Sequence, residues 1–345
     1  MRIALIAHPR FPIKSPFPGG LEAFVSSLID FYAEHVDVTV YAHPESDIPK
    51  HVNFVTFPLD SKAHETYPEL IENDFLLKVM EDILVKQFDA VHNNAISPIP
   101  AVWACKYDIP LLTTLHTPPY SRLKASAELT SLSPNVHYNA VSFSVAEQWQ
   151  PYISDTIDVI YNGIDLSSWY DTKTSTDSLK ASLFSFGRIV PSKGFDLAAK
   201  AAALVGIPLN IAGPIYDKHH FENDIAPYLG KGVNYLGHLS HQELQVQLKS
   251  AQSAIFAVRW DEPFGLSTVE AMASGTPVAA FNRGAFPEVV SQKGGALALG
   301  NNVDSLADAI IASLDVHKDD VLSRAQKFPL TTMCNRYITK LMEIA

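Results

Sequence analysis

Apolar and polar positions alternate in blocks along this 345-residue chain. Short runs rich in Val, Ile and Leu are separated by longer stretches with apolar residues three and four apart. RIALIAH (2–8) has the length and composition of a buried strand, and LEAFVSSLIDFYAEH (21–35) has helical spacing. VDVTVYAH (36–43), HVNFVTFP (51–58), DAVHNNA (89–95), PLLTTLH (110–116) and NVHYNAVS (135–142) predict further strands, with a helix over PELIENDFLLKVMEDILVKQF (68–88). Alternation of this kind implies a parallel sheet covered on both faces.

DTIDVIYNGIDLSSW (155–169) interrupts the rhythm, which then restarts. SLFSFGRI (182–189), PLNIAGP (208–214), VNYLGHL (233–239), SAIFAVRW (253–260), PVAAF (277–281) and GALAL (295–299) predict strands. FDLAAKAAALVG (195–206), HQELQVQLKSA (241–251) and a stretch near 267–274 predict helices. Two α/β sheets in series follow, with a hinge near 160–180. The length suits two cores. Ligands of such sheets sit at the carboxyl ends of the strands, and two sheets face to face make a cleft.

Composition narrows the class. Hydrophobic residues make up 47% and charged residues 18%, enough for two buried cores and too apolar for disorder. The formal net charge is -11, with 10 Lys+Arg against 19 Asp+Glu in residues 1–164 and 16 against 18 in the rest. An acidic first half argues against nucleic acid and leaves at most weak membrane association. It does not exclude a small anionic ligand, which needs only a few local donors. Two distant cysteines, Cys105 and Cys334, make neither a disulfide framework nor a metal set. MRIALIAHP turns polar too soon for a signal peptide, and no stretch is long enough to span a bilayer, so the cytoplasm is the expected compartment.

Four stretches carry candidate chemistry. In EPFGLSTVEAMASGTPV (262–278), Glu262 and Glu270 lie eight positions apart. Ser267 and Glu270 have the spacing of a capping box, with Gly275 and Pro277 closing the helix. The alternative is a ligand site. Gly265 lets backbone approach closely, the helix start from Phe264 through Leu266 and Ser267 offers amides to phosphate, and Glu270 is free for a ribose diol. Glu262 would repel phosphate, so its partner is neutral sugar hydroxyls. In GRIVPSKGFD (187–196), Arg188 and Lys193 follow a strand end at Gly187, either as solvated turn cations or as an anion clamp. PFPGGLEAF (16–24) puts Gly19 and Gly20 between strand and helix, either as a plain turn or as a backbone approach to phosphate. TTLHTPPY (113–120) places His116 at a strand's carboxyl end, as a core histidine or a site residue. No dinucleotide fingerprint, Walker loop, Asp-x-Asp pair or metal-ligand spacing is present, and the two END stretches (72–74 and 222–224) read as solvated helix.

Together these stretches resemble the retaining glycosyltransferases of family 4, over nearly the whole chain. EPFGLSTVEAMASGTPV looks like that family's E-x7-E signature, and GRIVPSKGFD like its diphosphate-binding segment. VIYNGID (159–165), PGG (18–20), TLHT (114–117), LNIAGP (209–214) and VNYLGHLSHQEL (233–244) fall in register, and 328–345 resembles the helix that returns to the first domain. The resemblance implies an α/β GT-B fold: two Rossmann-like parallel-sheet domains, 1–163 on the acceptor side and 164–327 on the donor side, facing each other across a cleft, with 328–345 crossing back.

It also implies roles. Arg188 and Lys193 would neutralise a leaving diphosphate, Glu270 would hold ribose, and Glu262 would hold donor sugar hydroxyls. His116 would sit near the transferred sugar, and Pro214 and Leu239 would join the nucleotide contacts. The expected partners are a nucleoside-diphosphate sugar, UDP-glucose first, and a sugar, glycan or small-molecule acceptor. No cofactor or metal is expected. A sugar-nucleotide epimerase, a phosphorylase or a non-catalytic sugar-nucleotide binder are the rival readings. HPRFPIKSPFP (8–18) is either an apolar rim for an acceptor or a loop tucked under its own side chains.

Overall fold

A computed structural model describes residues 1–170 and 182–345, so residues 171–181 of the expected hinge lie outside the described residues. The chain divides into two compact units, Met1–Asn162 with Thr331–Ala345, and Gly163–Leu330.

The first unit holds β1 (Arg2–Ile6), β2 (Asp37–Tyr41), β3 (Asn53–Val55), β4 (Ala90–Asn93), β5 (Leu111–Leu115), β6 (Val136–Ala140) and β7 (Asp158–Val159). They form one parallel sheet in the order β3-β2-β1-β4-β5-β6-β7. Two ends differ from the sequence pattern. Only three residues of 51–58 pair, at the sheet edge, and a two-residue strand forms inside the stretch that had broken the rhythm. The helix Gly20–His35 buries Phe24, Val25, Leu28, Ile29 and Tyr32, the i, i+4, i+8 stripe of a helix laid on a sheet. The helix Pro68–Lys86 does the same with Phe75, Leu76, Val79, Met80 and Ile83.

The last helix, Leu330–Ile344, packs on this unit through Met333, Cys334, Tyr337 and Leu341. A buried chain of hydrogen bonds fixes it. Tyr32 donates its hydroxyl proton to His92 Nδ1 (3.0 Å), and His92 Nε2 donates to Thr114 Oγ1 (2.9 Å). Thr114 donates to Asn139 Oδ1 (2.9 Å), and Asn139 Nδ2 donates to the Tyr337 hydroxyl (3.1 Å). The three inner residues, His92, Thr114 and Asn139, each have one partner ahead and one behind, which requires a neutral His92. Burial supplies that, lowering its pKa to about 3, with His116 nearby acting in the same direction.

The second unit holds β8 (Ser182–Phe186), β9 (Leu209–Ala212), β10 (Val233–Tyr235), β11 (Ala251–Phe256), β12 (Val278–Phe281) and β13 (Gly295–Ala298). These too are all parallel, in the order β10-β9-β8-β11-β12-β13. The Ala-rich helix Phe195–Val205 lets its backbone lie close to the sheet, with Ala198, Ala199, Ala201 and Ala202 buried. In both sheets the chain winds outward in two directions from a central pair, β1/β4 and β8/β11. At such a reversal the loops diverge and leave a crevice at the carboxyl ends.

Removing the Tyr337 hydroxyl strands the buried Asn139 amide. Tyr337→Phe should lower stability by about 1–3 kcal/mol, read by urea unfolding. Loss of the partly exposed Lys340–Asp158 pair in Lys340→Ala should cost less, about 0–1 kcal/mol. Equal stability of Tyr337→Phe and wild type would show that the chain of bonds does not hold the helix.

Candidate active site

The crevice of the second unit is built by two loops. One leaves β8 and carries Gly187, Arg188 and Lys193, and the other leaves β11 and carries Arg259, Trp260, Asp261 and Glu262. Between them lies a recess lined by Gly187, Lys193, Glu262, Ser267 and the aromatic floor of Phe256 and Phe286. Beside Gly187 the space is open, with no atom within 4 Å of where a Cβ would stand.

Lys193 and Glu262, 69 residues apart in sequence, meet here. Lys193 Nζ donates to Glu262 Oε2 at 2.7 Å, and the same oxygen accepts the indole N–H of Trp260 at 2.9 Å. The ammonium also lies 5.4 Å from the Trp260 ring centroid, within cation–π range. Lys193 and Glu262 are 21% and 13% exposed, shielded enough for the pair to matter and open enough to be reached. Arg188 has no carboxylate partner among the described residues, and its guanidinium lies 5.9 Å from the Tyr216 ring centroid.

A second layer holds the Glu262 loop. Asp196, buried at the start of the Phe195–Val205 helix, accepts both arms of Arg259 at 2.8 and 2.6 Å. Burial alone would raise Asp196, but the guanidinium outweighs it and keeps the carboxyl below its ordinary range. Arg259 further donates to the Pro191 carbonyl, and Arg283 donates to the Arg259 carbonyl and to Asp261. Gly284 packs directly on the Glu262 peptide. A Cβ there would stand 2.4 Å from both its N and O, at a left-handed φ of 55°.

The helix Leu266–Ala273 starts differently from the Ser-x-x-Glu expectation. Its N-cap is Gly265, in a left-handed conformation (φ 87°, ψ 59°), where any Cβ would meet the Phe286 ring at 2.6 Å. Thr268 closes the first turn by donating to the Gly265 carbonyl at 2.7 Å. Ser267 is therefore already inside the helix and no capping box forms. Phe264 is buried against Phe328 (5.6 Å between ring centroids), and Leu266 is the first helical residue. Glu270 then falls one turn further on, with no side-chain partner among the described residues. Burial pushes its carboxyl up to about 7. Pro214 and Leu239 lie on the neighbouring loops after β9 and β10. The Pro214 carbonyl accepts from Ile189 N at 2.9 Å, beside Arg188, and Leu239 precedes the cap of the helix His241–Ser250.

Three expected site residues belong to the first unit. Gly19 caps the helix Gly20–His35 in extended backbone (φ -162°), which any residue adopts. His116 lies at the end of β5, its Nε2 2.9 Å from Asn94 Oδ1 and its ring 4.8 Å from Phe24. Burial, then His8, lowers its pKa to about 3, so it is a neutral hydrogen-bonding group. It borders a second pocket with Ala95, Leu115, Leu123, Ser126 and Trp149. The loop 8–18 is tied down at two points. Ile13 is buried and bonds Ser46, while Arg10 forks onto Glu72 at 2.6 and 3.1 Å. Glu72 is thus a buried ion-pair member that also takes His64, and not a solvated helix residue. His220 is likewise buried.

Sequence reasoning passed over Trp260, the Arg259–Asp196 fork and Gly284. The available signals were an aromatic directly before the acid pair in RWDE and a glycine just after a buried strand in FNRGAF.

Two doubly wound sheets, with cations and carboxylates gathered at a strand-end crevice, describe a GT-B glycosyltransferase. Anabaena HepE, solved in complex with UDP-glucose, has this fold. It superposes with a TM-score of 0.76 over 99% of this chain and all of its own, at 18% identity. The chain belongs to the family 4 glycosyltransferases: the Glycosyltransferase Family 4 model matches residues 18–168 and the Glycosyl transferases group 1 model matches 171–325. YtcC of Bacillus subtilis (strain 168), named as a glycosyltransferase, is 23% identical over 90% of this chain and 82% of its own. The glycogen synthase of Mycobacterium tuberculosis (strain CDC 1551 / Oshkosh) is 28% identical over 61% of this chain, which spans only 55% of that protein. No helix among the described residues is long and apolar enough to cross a membrane.

Glu270 has a direct signature in stability. Its folded carboxyl titrates near 7 against an ordinary 4.5, so the folded state binds that proton more tightly than the unfolded chain does. The associated stability is complete below pH 4.5 and is lost as pH rises through 7. Glu270→Gln should therefore match wild type at pH 4 and exceed it by about 1–3 kcal/mol at pH 8.5, measured by denaturant titration. A loss of stability at both pH values would restore a capping role.

Proposed function

We propose that the chain is a retaining glycosyltransferase that moves a hexose from a nucleoside-diphosphate sugar, UDP-glucose in the first instance, to a hydroxyl of a sugar or small molecule, without a metal ion. The carrying observation is the meeting of Lys193 and Glu262 at the mouth of a recess beside Arg188 and the first turn of the Leu266–Ala273 helix. One end of that surface suits phosphate oxygens and the other suits neutral hydroxyls. HepE, of the same fold, was solved with UDP-glucose, which supports this donor.

In this reading Arg188 and Lys193 take up the charge that develops on the departing diphosphate, helped by the amides at Gly265 to Ser267. Preorganised donors aimed at developing charge are the largest single source of rate in such steps. Glu262 accepts from the hydroxyls of the transferred sugar, and Glu270 accepts from the ribose diol. His116 contributes to transfer as a neutral imidazole, since its low pKa keeps it uncharged through the working range. Charge neutralisation by two side chains gives the leaving group what a metal would otherwise supply, and EDTA should leave the rate unchanged.

Thermal shift with UDP, GDP, ADP, TDP and NAD tests the donor. One nucleoside diphosphate at about 100 times its dissociation constant should stabilise by ~2.7 kcal/mol. A response to NAD alone, or to none, would overturn the reading. Arg188→Ala and Lys193→Ala should each slow transfer by about 10²-fold or more, and wild-type turnover in either would remove the diphosphate assignment.

Glu270 should also make donor affinity depend on pH. Only its ionised form accepts two hydroxyl protons, and the free carboxyl titrates near 7. Binding of UDP-glucose, whose diphosphate diester does not itself titrate here, should be roughly tenfold weaker at pH 6 than at pH 8. The dependence should vanish in Glu270→Gln. A flat calorimetric profile in wild type would refute the ribose assignment.

A further inference from the structure

Lys193 and Glu262 are each assigned a different part of the donor, yet in the structure they hold each other. Their contact is short, 2.7 Å, and partly shielded. A diphosphate reaching Lys193 must therefore displace a carboxylate, and the carboxylate must find another partner. We infer that this pair discriminates the donor from its own leaving group: a nucleoside-diphosphate sugar supplies a new partner to both residues, whereas the free nucleoside diphosphate takes Lys193 and leaves Glu262 without its cation. The inference rests on the donor reading given above.

The energetics follow from burial. Breaking a shielded ion pair by engaging only one partner leaves the other charge desolvated and uncompensated, which costs more than the pair itself contributed. With the intact donor, sugar hydroxyls donate to Glu262 as phosphate oxygens accept from Lys193, and both charges remain satisfied. With the product diphosphate, only Lys193 is satisfied. After transfer Glu262 competes to recover Lys193, which weakens the hold on the leaving group and favours its release.

Trp260 makes the exchange workable and is a positioning residue in it. Its indole N–H stays on Glu262 Oε2 when Lys193 turns away, so the carboxylate keeps its place and the second oxygen remains available to the sugar. Its ring face lies within cation–π range of the ammonium, a resting place between the two partners. The loop carrying both residues is braced by Arg259 on Asp196 and by the close approach of Gly284, so the switch is confined to side chains.

The test is calorimetric titration of wild type, Glu262→Gln and Trp260→Phe with UDP and with UDP-glucose at pH 8, each variant first checked for a wild-type-like melting transition. Gln keeps the shape of Glu262 but does not compete for Lys193. Glu262→Gln should bind UDP about tenfold more tightly than wild type and UDP-glucose about tenfold more weakly, reversing the preference. Product inhibition of transfer by UDP should strengthen in parallel. Trp260→Phe should lower kcat with a smaller change in the dissociation constant of UDP, because it removes the N–H that holds Glu262 and keeps an aromatic face for Lys193. Unchanged or weaker UDP binding by Glu262→Gln overturns the exchange while leaving the donor reading in place. If wild type binds neither ligand, the donor reading falls and the exchange falls with it.

Discussion

Every strand in both sheets runs the same way, and that polarity governs where chemistry can be placed. Parallel strands need a crossover on one face or the other after each strand, so all carboxyl ends lie along one edge and all loops that leave them start there. Where the winding reverses, between β8 and β11, two such loops diverge and nothing fills the gap. Lys193 comes from one loop and Glu262 from the other, which is why residues 69 apart in sequence end 2.7 Å apart in space. The same rule puts Asn94 and His116 at adjacent strand ends in the first unit.

The loops themselves have little regular structure, and their precision comes from bracing. Asp196 sits in the first turn of a helix that is locked to the sheet by small alanines, and it anchors Arg259 through two parallel hydrogen bonds. Arg283 reaches back to the same loop from beyond β12, and the absent side chain of Gly284 lets one peptide lie against another. The floor is aromatic, with Phe186, Phe256 and Phe286 in successive contact. A packed aromatic base and braced loops fix the backbone on which Lys193 and Glu262 meet.

Much of this was legible in the chain because parallel strands are buried on both faces and therefore read as nearly continuous apolar runs. The strands of the second unit follow, in chain order, the pattern from SLFSFGRI to GALAL closely, and of the residues singled out in the sequence Gly187, Lys193, Glu262 and Ser267 line the recess. What the chain could not display were contacts between distant segments. Ser267 and Glu270 have capping-box spacing, but the tertiary contact of Gly265 with Phe286 starts the helix before Ser267 can cap it. Glu72 looked like one polar residue of a solvated END, yet the loop after β1 folds over it and brings Arg10. Local propensity and spacing carry no record of such partners. β7 was missed for a related reason, since two residues give no periodicity to read.

Under the proposed function, the charge balance of the recess bears on how a chain with net charge -11 would take up an anion. Among the described residues, three of the four Arg and Lys side chains on the loops after β8, β11 and β12 already have carboxylate partners: Arg259 has Asp196, Arg283 has Asp261 and Lys193 has Glu262. The fourth, Arg188, has only an aromatic ring beside it among the described residues. In that reading an approaching diphosphate would meet the Arg188 fork before a cation that must first be freed from a carboxylate. Screening limits long-range steering to about 8–10 Å at ordinary salt, so the charges immediately around the recess matter more to an anion than the net charge of the chain. Under the proposed donor reading Arg188 would supply the first contact and Lys193 the second, once Glu262 is given something else to hold.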